Sequence, residues 1–403
     1  MRMHKIILAC VLMASCLGCS GGANVHTEDQ STINPTWEEE DHSFMAPRFF
    51  DLIPTKDGNQ CMFVNDVVYL GDPSKSAKMI PYCSKSGCKH DSMECPAYVG
   101  PNVLAFSPYH DKWYYIQSNE DQSHIFFVEH DHTTNGRKKL WECSTYEEDR
   151  AVHTFNVVPQ TIRHERLYFL VQEMIFHPEK NSNSKEYFHM LDLHTGKDTV
   201  LKEFDITQYG HSPVAVSDDA LYMESVTDIV DLGGGYETYA ALEKMDLKTG
   251  EVQVVVPAET RMHAHFHPYG RTFNDELVYI TDKELHLYNT KTGEDRVVES
   301  IDEGRMLYMN LCGNVIYWSM VKEDRNDIHM FKTDCKRGET KEIVSPHTDG
   351  AFECSLYSAA GNGIFGKMED NNGDLKSVWM TCEDYENGRY EKAVFPEGIK
   401  QDK

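Results

Sequence analysis

The chain contains 403 residues and carries a formal net charge of −26 at pH 7. A negative excess of this size repels phosphate backbones and anionic lipid headgroups, which argues against nucleic-acid binding. The same charge keeps a domain that is exposed to solvent soluble.

Residues 1–18 predict a lipoprotein signal peptide. A basic start is followed by the short apolar segment 6–14 and by small residues up to Cys19, which is the layout of a secretory signal. The apolar segment is too short to span a bilayer. We expect lipidation at Cys19, export, and anchoring to the cell membrane with the domain on the extracytoplasmic side. Cys16 offers a second register for the lipid, and a plain cleaved signal is the alternative.

Residues 19–47 are predicted to form a flexible acidic tether. They are rich in Ser, Asn, Thr, Asp and Glu and contain few residues that could form a core. The tether would hold the domain off the membrane. Residues 48–396 are left for a single folded domain, and residues 397–403 form a polar tail.

A repeat of short aromatic strands runs through residues 48–396. It recurs at an interval typical of propeller blades. The aromatic strands are residues 67–70, 113–116, 167–170, 221–223, 277–280, 315–318 and 363–365. Long helical periodicity is absent, which disfavours α/β folds and leaves no room for a second domain.

A recurring turn follows the aromatic strand and its partner strand. An Asp or Asn stands four residues before a glycine in most copies, and five residues before it in the copy at 131–136. The turns are residues 131–136, 192–196, 246–250, 289–293, 334–338 and 384–388. Asp or Asn can accept hydrogen bonds from the turn backbone, while glycine adopts the positive φ that ends a short hairpin loop. The pattern therefore predicts hairpins.

Strands before and after each hairpin complete units of four. Seven such units predict an all-β fold, a β-propeller of seven four-stranded blades over residues 48–396. Six or eight blades are alternatives, because blade one is the least regular. A β-sandwich array or a solenoid is the competing architecture.

The most distinctive residues lie in blade one. The turn pattern places Cys83, Cys88, His90 and Cys95 on the outer hairpin of that blade, with Gly87 as the turn glycine. Three thiolates and one imidazole could supply a tetrahedral site for zinc or another transition metal. In an exported protein a local disulfide between two of these cysteines, with the third thiol pairing elsewhere, is the favoured alternative, and free thiols are a third. Either role is structural more than catalytic.

A second cluster precedes blade five. His263, His265 and His267 alternate along the chain, so on a strand they would face one side and could bind a metal or ligand at the propeller channel. His153 and His211 occupy corresponding positions in neighbouring blades and could join them. The alternative is that these histidines fill polar structural positions.

The signal, the aromatic repeat and the segment from Cys83 to Asp91 with Cys95 together resemble the propeller-type lipoproteins of Gram-positive bacteria. More loosely, the chain is similar to the Tol-associated propellers. The resemblance implies a propeller fold and an envelope location. It implies no activity, because these families are largely without an assigned one.

A ligand-binding or protein-interaction module is the function that these features favour. Loops on a rigid, membrane-tethered scaffold suit recognition of an envelope protein or a glycan. The alternative is an extracellular enzyme acting on polysaccharide or peptide, with metal assistance, at the channel mouth. The sequence identifies no catalytic residues.

Overall fold

A computed structural model describes most of the residues after position 59. The described residues are 42–43, 52–54, 60–72, 75–179, 183–206, 210–231, 236–258, 276–281, 283–312, 315–321, 328–344, 355–360, 363–369, 375–395 and 397–398. Four predicted site residues, Cys19, His263, His265 and His267, lie outside these ranges. Within them, no helix is long and apolar enough to cross a membrane.

The described strands form seven antiparallel sheets, which follow one another along the chain. Sheet one contains β2 (Leu52–Pro54), β3 (Gln60–Val64), β4 (Val67–Gly71) and β5 (Ile80–Pro81). Sheet two contains β6 (Val103–Tyr109), β7 (Lys112–Ser118), β8 (His124–Asp131) and β9 (Gly136–Ser144).

Sheets three and four have the longest strands. Sheet three contains β1 (His42–Ser43), β10 (Tyr146–Glu148), β11 (Ala151–Arg163), β12 (Arg166–Phe176), β13 (Asn183–Asp192) and β14 (Asp198–Ile206). Sheet four contains β15 (His211–Val216), β16 (Ala220–Asp231), β17 (Tyr236–Asp246) and β18 (Val252–Val256). Strand β1 belongs to the segment predicted as a tether, and its two residues pair with Ile162 and Thr161 of β11.

The last three sheets complete the chain. Sheet five contains β19 (Glu276–Ile280), β20 (Glu284–Asn289) and β21 (Asp295–Ser300). Sheet six contains β22 (Arg305–Cys312), β23 (Val315–Val321), β24 (Ile328–Asp334) and β25 (Glu339–Ile343). Sheet seven contains β26 (Ser355–Ala360), β27 (Gly363–Glu369) and β28 (Leu375–Thr381), and is followed by α1 (Cys382–Glu386) and a 3₁₀ turn (Tyr390–Lys392).

Each sheet shares an apolar core with the next one along the chain. Phe63 of sheet one stacks on Phe106 of sheet two, with ring centroids 5.4 Å apart. Corresponding clusters join every later pair of neighbours, and Trp379 of sheet seven packs among residues of sheet one such as Met62. The predicted all-β propeller is therefore confirmed, since its core lies between radially arranged sheets.

The predicted hairpin turns occur immediately before the last strand of sheets three to six. In sheet three the Asp192 side chain accepts a hydrogen bond from the Thr195 backbone N–H at 2.7 Å, and Gly196 has a φ of +72°. The turns at 246–250, 289–293 and 334–338 repeat this geometry. The left-handed backbone explains why glycine occupies the last turn position.

The prediction of a hairpin at residues 384–388 is wrong. That segment belongs to the short helix α1, where Thr381 is the N-cap and its hydroxyl accepts a hydrogen bond from the Asp384 backbone N–H at 3.0 Å. Gly388 still has a φ of +66°, because glycine ends a helix as readily as a hairpin.

Blade one also differs from the predicted hairpin. Gly87 has the expected positive φ, +73°, but residues 82–102 form no strand. The chain leaves the sheet after Tyr82 and returns where the Val99 N–H donates to the Asp66 carbonyl at 2.8 Å. The intervening segment lacks an alternating apolar pattern and instead folds around its polar and sulfur-containing side chains. Residues 83–99 are called the metal loop below.

Candidate metal centre

The structure brings Cys83, Cys88, His90 and Cys95 together in the metal loop. Their potential ligand atoms all lie within 4.8 Å of one another. His90 Nδ1 is 3.3 Å from the sulfur of Cys95. Cys95 is buried, with 1 % of its surface exposed, whereas the other three side chains are half-buried. All three cysteines are free thiols. These four residues could therefore bind a metal ion.

Tight turns in the backbone produce this convergence. Gly87, in its left-handed conformation, lies within a turn that the Cys88 N–H closes by donating to the Lys85 carbonyl at 3.3 Å. His90 also has a positive φ, +56°, which reverses the chain again. The Cys95 N–H then donates to the Ser92 carbonyl at 2.9 Å. Because these reversals follow closely, residues up to twelve positions apart share one small volume.

The thiols of the cluster differ in acidity. The hydrogen bond from the His90 backbone N–H lowers the pKa of the Cys88 thiol, and its sulfur neighbours and the positive charge of Lys85 lower it further. Burial raises the pKa of the Cys95 thiol to about 12. A cation bound here would replace the Cys95 proton, since metals bind the thiolate form.

Blade two supports the metal loop from outside. Arg137, at the start of β9, donates to the carbonyl oxygens of Met93 at 2.8 Å and Tyr98 at 2.6 Å. Asn135 donates to the same Met93 carbonyl at 3.0 Å. The sequence gives no signal for Arg137, because its role depends on how two blades pack together.

His153 and His211 each pair with a carboxylate of their own. His153 Nδ1 lies 2.7 Å from Glu173, whose carboxylate also accepts hydrogen bonds from the Tyr146 and Tyr187 hydroxyls at 3.0 and 2.7 Å. Both residues of this pair belong to sheet three, so the carboxylate partner of His153 comes from its own blade. Whether these histidines join the predicted cluster at His263 lies outside the described residues.

The second histidine pair connects sheets three and four. His211 Nδ1 lies 2.8 Å from the fully buried carboxylate of Glu186, which also accepts a hydrogen bond from Gln172 at 2.7 Å. The His211 ring packs on Phe204, with centroids 4.2 Å apart. This pair therefore belongs to the packing between blades.

Comparison with known proteins identifies the fold and no family. No protein-family model matches the sequence, and no curated protein matches it. A puromycin hydrolase is similar in structure, with 13 % identity and a TM-score of 0.50 over 96 % of this chain and 55 % of that one. The chain spans about half the length of the peptidases that it matches.

Two further solved structures match over most of their own length. The propeller domain of the trilobed protease from Pyrococcus furiosus has 12 % identity and a TM-score of 0.43, covering 85 % of this chain and 94 % of that domain. TolB from Acinetobacter baumannii has 12 % identity and a TM-score of 0.36, covering 80 % and 76 %. At these identities and TM-scores the two matches carry no argument about function, and the assignment as a β-propeller rests on the chain's own sheets and the apolar cores between them.

Proposed function

We propose that this protein is an exported, lipid-anchored β-propeller that binds a ligand or partner on a scaffold stabilised by one structural zinc ion. The observation that carries the proposal is the convergence of three thiols and one imidazole within 4.8 Å. This donor set suits zinc, which prefers sulfur and nitrogen ligands in proteins.

The spacing of the donors fits a tetrahedral ion. Zinc–sulfur bonds of about 2.3 Å place neighbouring donors of a tetrahedron roughly 3.8 Å apart. The four donors already lie within 4.8 Å, so loading requires them to contract only slightly. His90 would bind through Nδ1, the nitrogen that faces Cys95 at 3.3 Å.

A closed set of four protein ligands favours a structural role for the ion. A catalytic zinc keeps one position open for water or substrate, whereas Cys₃His leaves none. The metal would therefore stabilise the scaffold and take no part in a reaction. This argues against a catalytic role for an ion at the cysteine cluster. The enzyme alternative depends instead on the channel mouth, and the structural likeness to a puromycin hydrolase supplies the fold alone.

The experiment that tests the zinc site is native mass spectrometry of protein purified from its own envelope without chelators or affinity tags. We expect one zinc per chain, lost in His90→Ala. Cys143→Ser is the matched control, because Cys143 is a free, half-buried thiol on β9 outside the cluster. A metal-free protein whose mass shows a disulfide among Cys83, Cys88 and Cys95 would refute the zinc site.

The binding role is tested separately by recovering partners from membranes. Full-length protein and a Cys19→Ser variant are compared for the proteins and glycans that copurify with them. We expect specific partners whose yield falls in the variant, because a lipid anchor concentrates the propeller at the membrane. Identical partners at identical yield would remove any role for anchoring.

A further inference from the structure

We infer that the metal centre fastens the first blade to both of its neighbours, so that metal binding and closure of the propeller ring are coupled. The inference rests on the zinc site proposed above. It concerns the contact between sheets one and seven, called the closure interface below, and the contact between sheets one and two.

The metal ligands form part of the closure interface. Buried Cys95 belongs to the same apolar cluster as Met62 and Val67 of sheet one and Trp379 of sheet seven. The half-buried Cys83 and Cys88 pack against this cluster. A metal that fixes these sulfur atoms would therefore also fix part of the apolar cluster to which the Trp379 ring belongs.

The segment after sheet seven bonds to both sides of this interface. Trp379 and Val394 exchange two backbone hydrogen bonds, of 2.9 and 2.7 Å. Glu397 then accepts from the Met79 N–H at 2.9 Å and donates to the Ala77 carbonyl at 2.7 Å. The hydrogen bonds at Met79 adjoin the cluster that contains Cys95, since Met79 is itself a buried member of it.

The opposite side of the metal loop is held by blade two. Arg137 donates to the carbonyl oxygens of Met93 and Tyr98, and also lies 3.4 Å from the carbonyl oxygen of the ligand residue Cys95. These contacts fall on the part of the loop that follows His90. A metal that orders the loop would therefore hold the carbonyl oxygens of Met93 and Tyr98 in position to accept hydrogen bonds from the Arg137 guanidinium.

Linkage makes the coupling reciprocal. If bound zinc stabilises the closed ring, then disturbing the closure interface must weaken zinc binding by the same factor. A zinc site that merely ordered its own loop would show no such effect at residues in sheet seven.

Hydrogen–deuterium exchange of the full-length chain, zinc-loaded and after chelation, tests the first direction. We expect the amides of Met79, Trp379 and Val394 to exchange at least about tenfold faster without zinc, while that of Leu170 in β12 is unchanged. If chelation speeds amide exchange only in residues 83–99, or equally throughout the described chain, the coupling is overturned while the zinc site stands. Failure of the wild-type chain to bind zinc would overturn both proposals.

Zinc affinity in two tryptophan variants tests the second direction, by competition with a chromophoric chelator. Trp379→Leu is expected to bind zinc about tenfold more weakly than wild type. The control is Trp318→Leu, which removes an equally buried ring between sheets five and six and should leave zinc affinity unchanged. Unchanged affinity in both variants, or equal weakening in both, would overturn the inference.

Discussion

Arg137 donates a hydrogen bond of 2.6 Å to the backbone carbonyl oxygen of Tyr98, across the boundary between blades two and one. A second guanidinium nitrogen reaches the Met93 carbonyl at 2.8 Å. One side chain thus satisfies two backbone acceptors of a loop that has no strand partner for them. Bonds to a charged donor contribute more than neutral ones, roughly 1.5–3 kcal/mol each.

We therefore expect Arg137→Gln to lower the free energy of unfolding by about 2–3 kcal/mol, because the part-buried Tyr98 carbonyl loses its charged donor while the exposed Met93 carbonyl keeps its bond from Asn135. Urea denaturation measures the change. Lys138→Gln is the control, since Lys138 is exposed on the same strand and should change stability by less than about 0.5 kcal/mol. Equal stability of the two variants would show that the guanidinium contacts are dispensable.

Gly210→Ala is expected to destabilise the contact between blades three and four. A Cβ at this position would lie 2.3 Å from Oε1 of Glu186, which is fully buried and accepts hydrogen bonds from His211. The carboxylate would have to move and lose hydrogen bonds, at a cost of about 2–3 kcal/mol. Thermal unfolding measures the loss.

Gly136→Ala is the matched control for that substitution. Its Cβ would approach only the Thr134 hydroxyl, at 3.1 Å, and this side chain can rotate away. We expect a change of less than about 1 kcal/mol. Tolerance of alanine at Gly210 as well would mean that the Glu186 carboxylate has room to shift.

Glu173→Gln should disrupt the polar cluster in blade three. The buried carboxylate accepts hydrogen bonds from His153, Tyr146 and Tyr187, and an amide can no longer accept at both of its terminal atoms. We expect a loss of about 2–3 kcal/mol in the free energy of unfolding. Glu203→Gln, which removes the exposed pair with Lys185, should cost less than about 1 kcal/mol. Comparable losses in the two variants would contradict the prediction.

Glu224 predicts a pH dependence of stability. Burial raises the pKa of Glu224 from 4.5 to about 7, and its Oε1 atom has no hydrogen-bond partner. Because the pKa is higher in the folded state, the protonated carboxyl favours folding below pH 4.5. This stability falls as the pH rises from about 4.5 to 7 and stays lost above that range.

Glu224→Gln removes this titration. The variant should therefore match wild type at pH 4 and be more stable at pH 8, by about 3 kcal/mol. Chemical denaturation at both pH values gives the two differences. A difference of the same size at pH 4 and pH 8 would show that the carboxyl does not titrate in this range.

Local patterns of sequence were sufficient to predict the strands and most turns. The aromatic strands pack between sheets because alternation places their apolar side chains there. The turns at Asp192 and Asp246 form because the carboxylate and the glycine act within five residues of each other. The same spacing misled at Asp384, because a helix N-cap at Thr381 competes for the Asp384 N–H.

The sequence was sufficient to predict which four residues could bind a metal, but not that their ligand atoms lie close together. Cys83, Cys88, His90 and Cys95 stand close in sequence, whereas their convergence depends on successive left-handed turns. The contacts that support the loop could not be predicted, since Arg137 and Trp379 are far from it in sequence and reach it only after the neighbouring blades have packed. Packing between blades leaves no local signature in the chain.

The apolar cluster that Met62 and Trp379 share also constrains the order in which the protein folds. Most of the chain lies between these residues, so the apolar face around Met62 stays uncovered until the last sheet has formed. Contacts of such long sequence separation slow folding and leave hydrophobic surface open to aggregation. The first blade in chain order is thus the last to be completed.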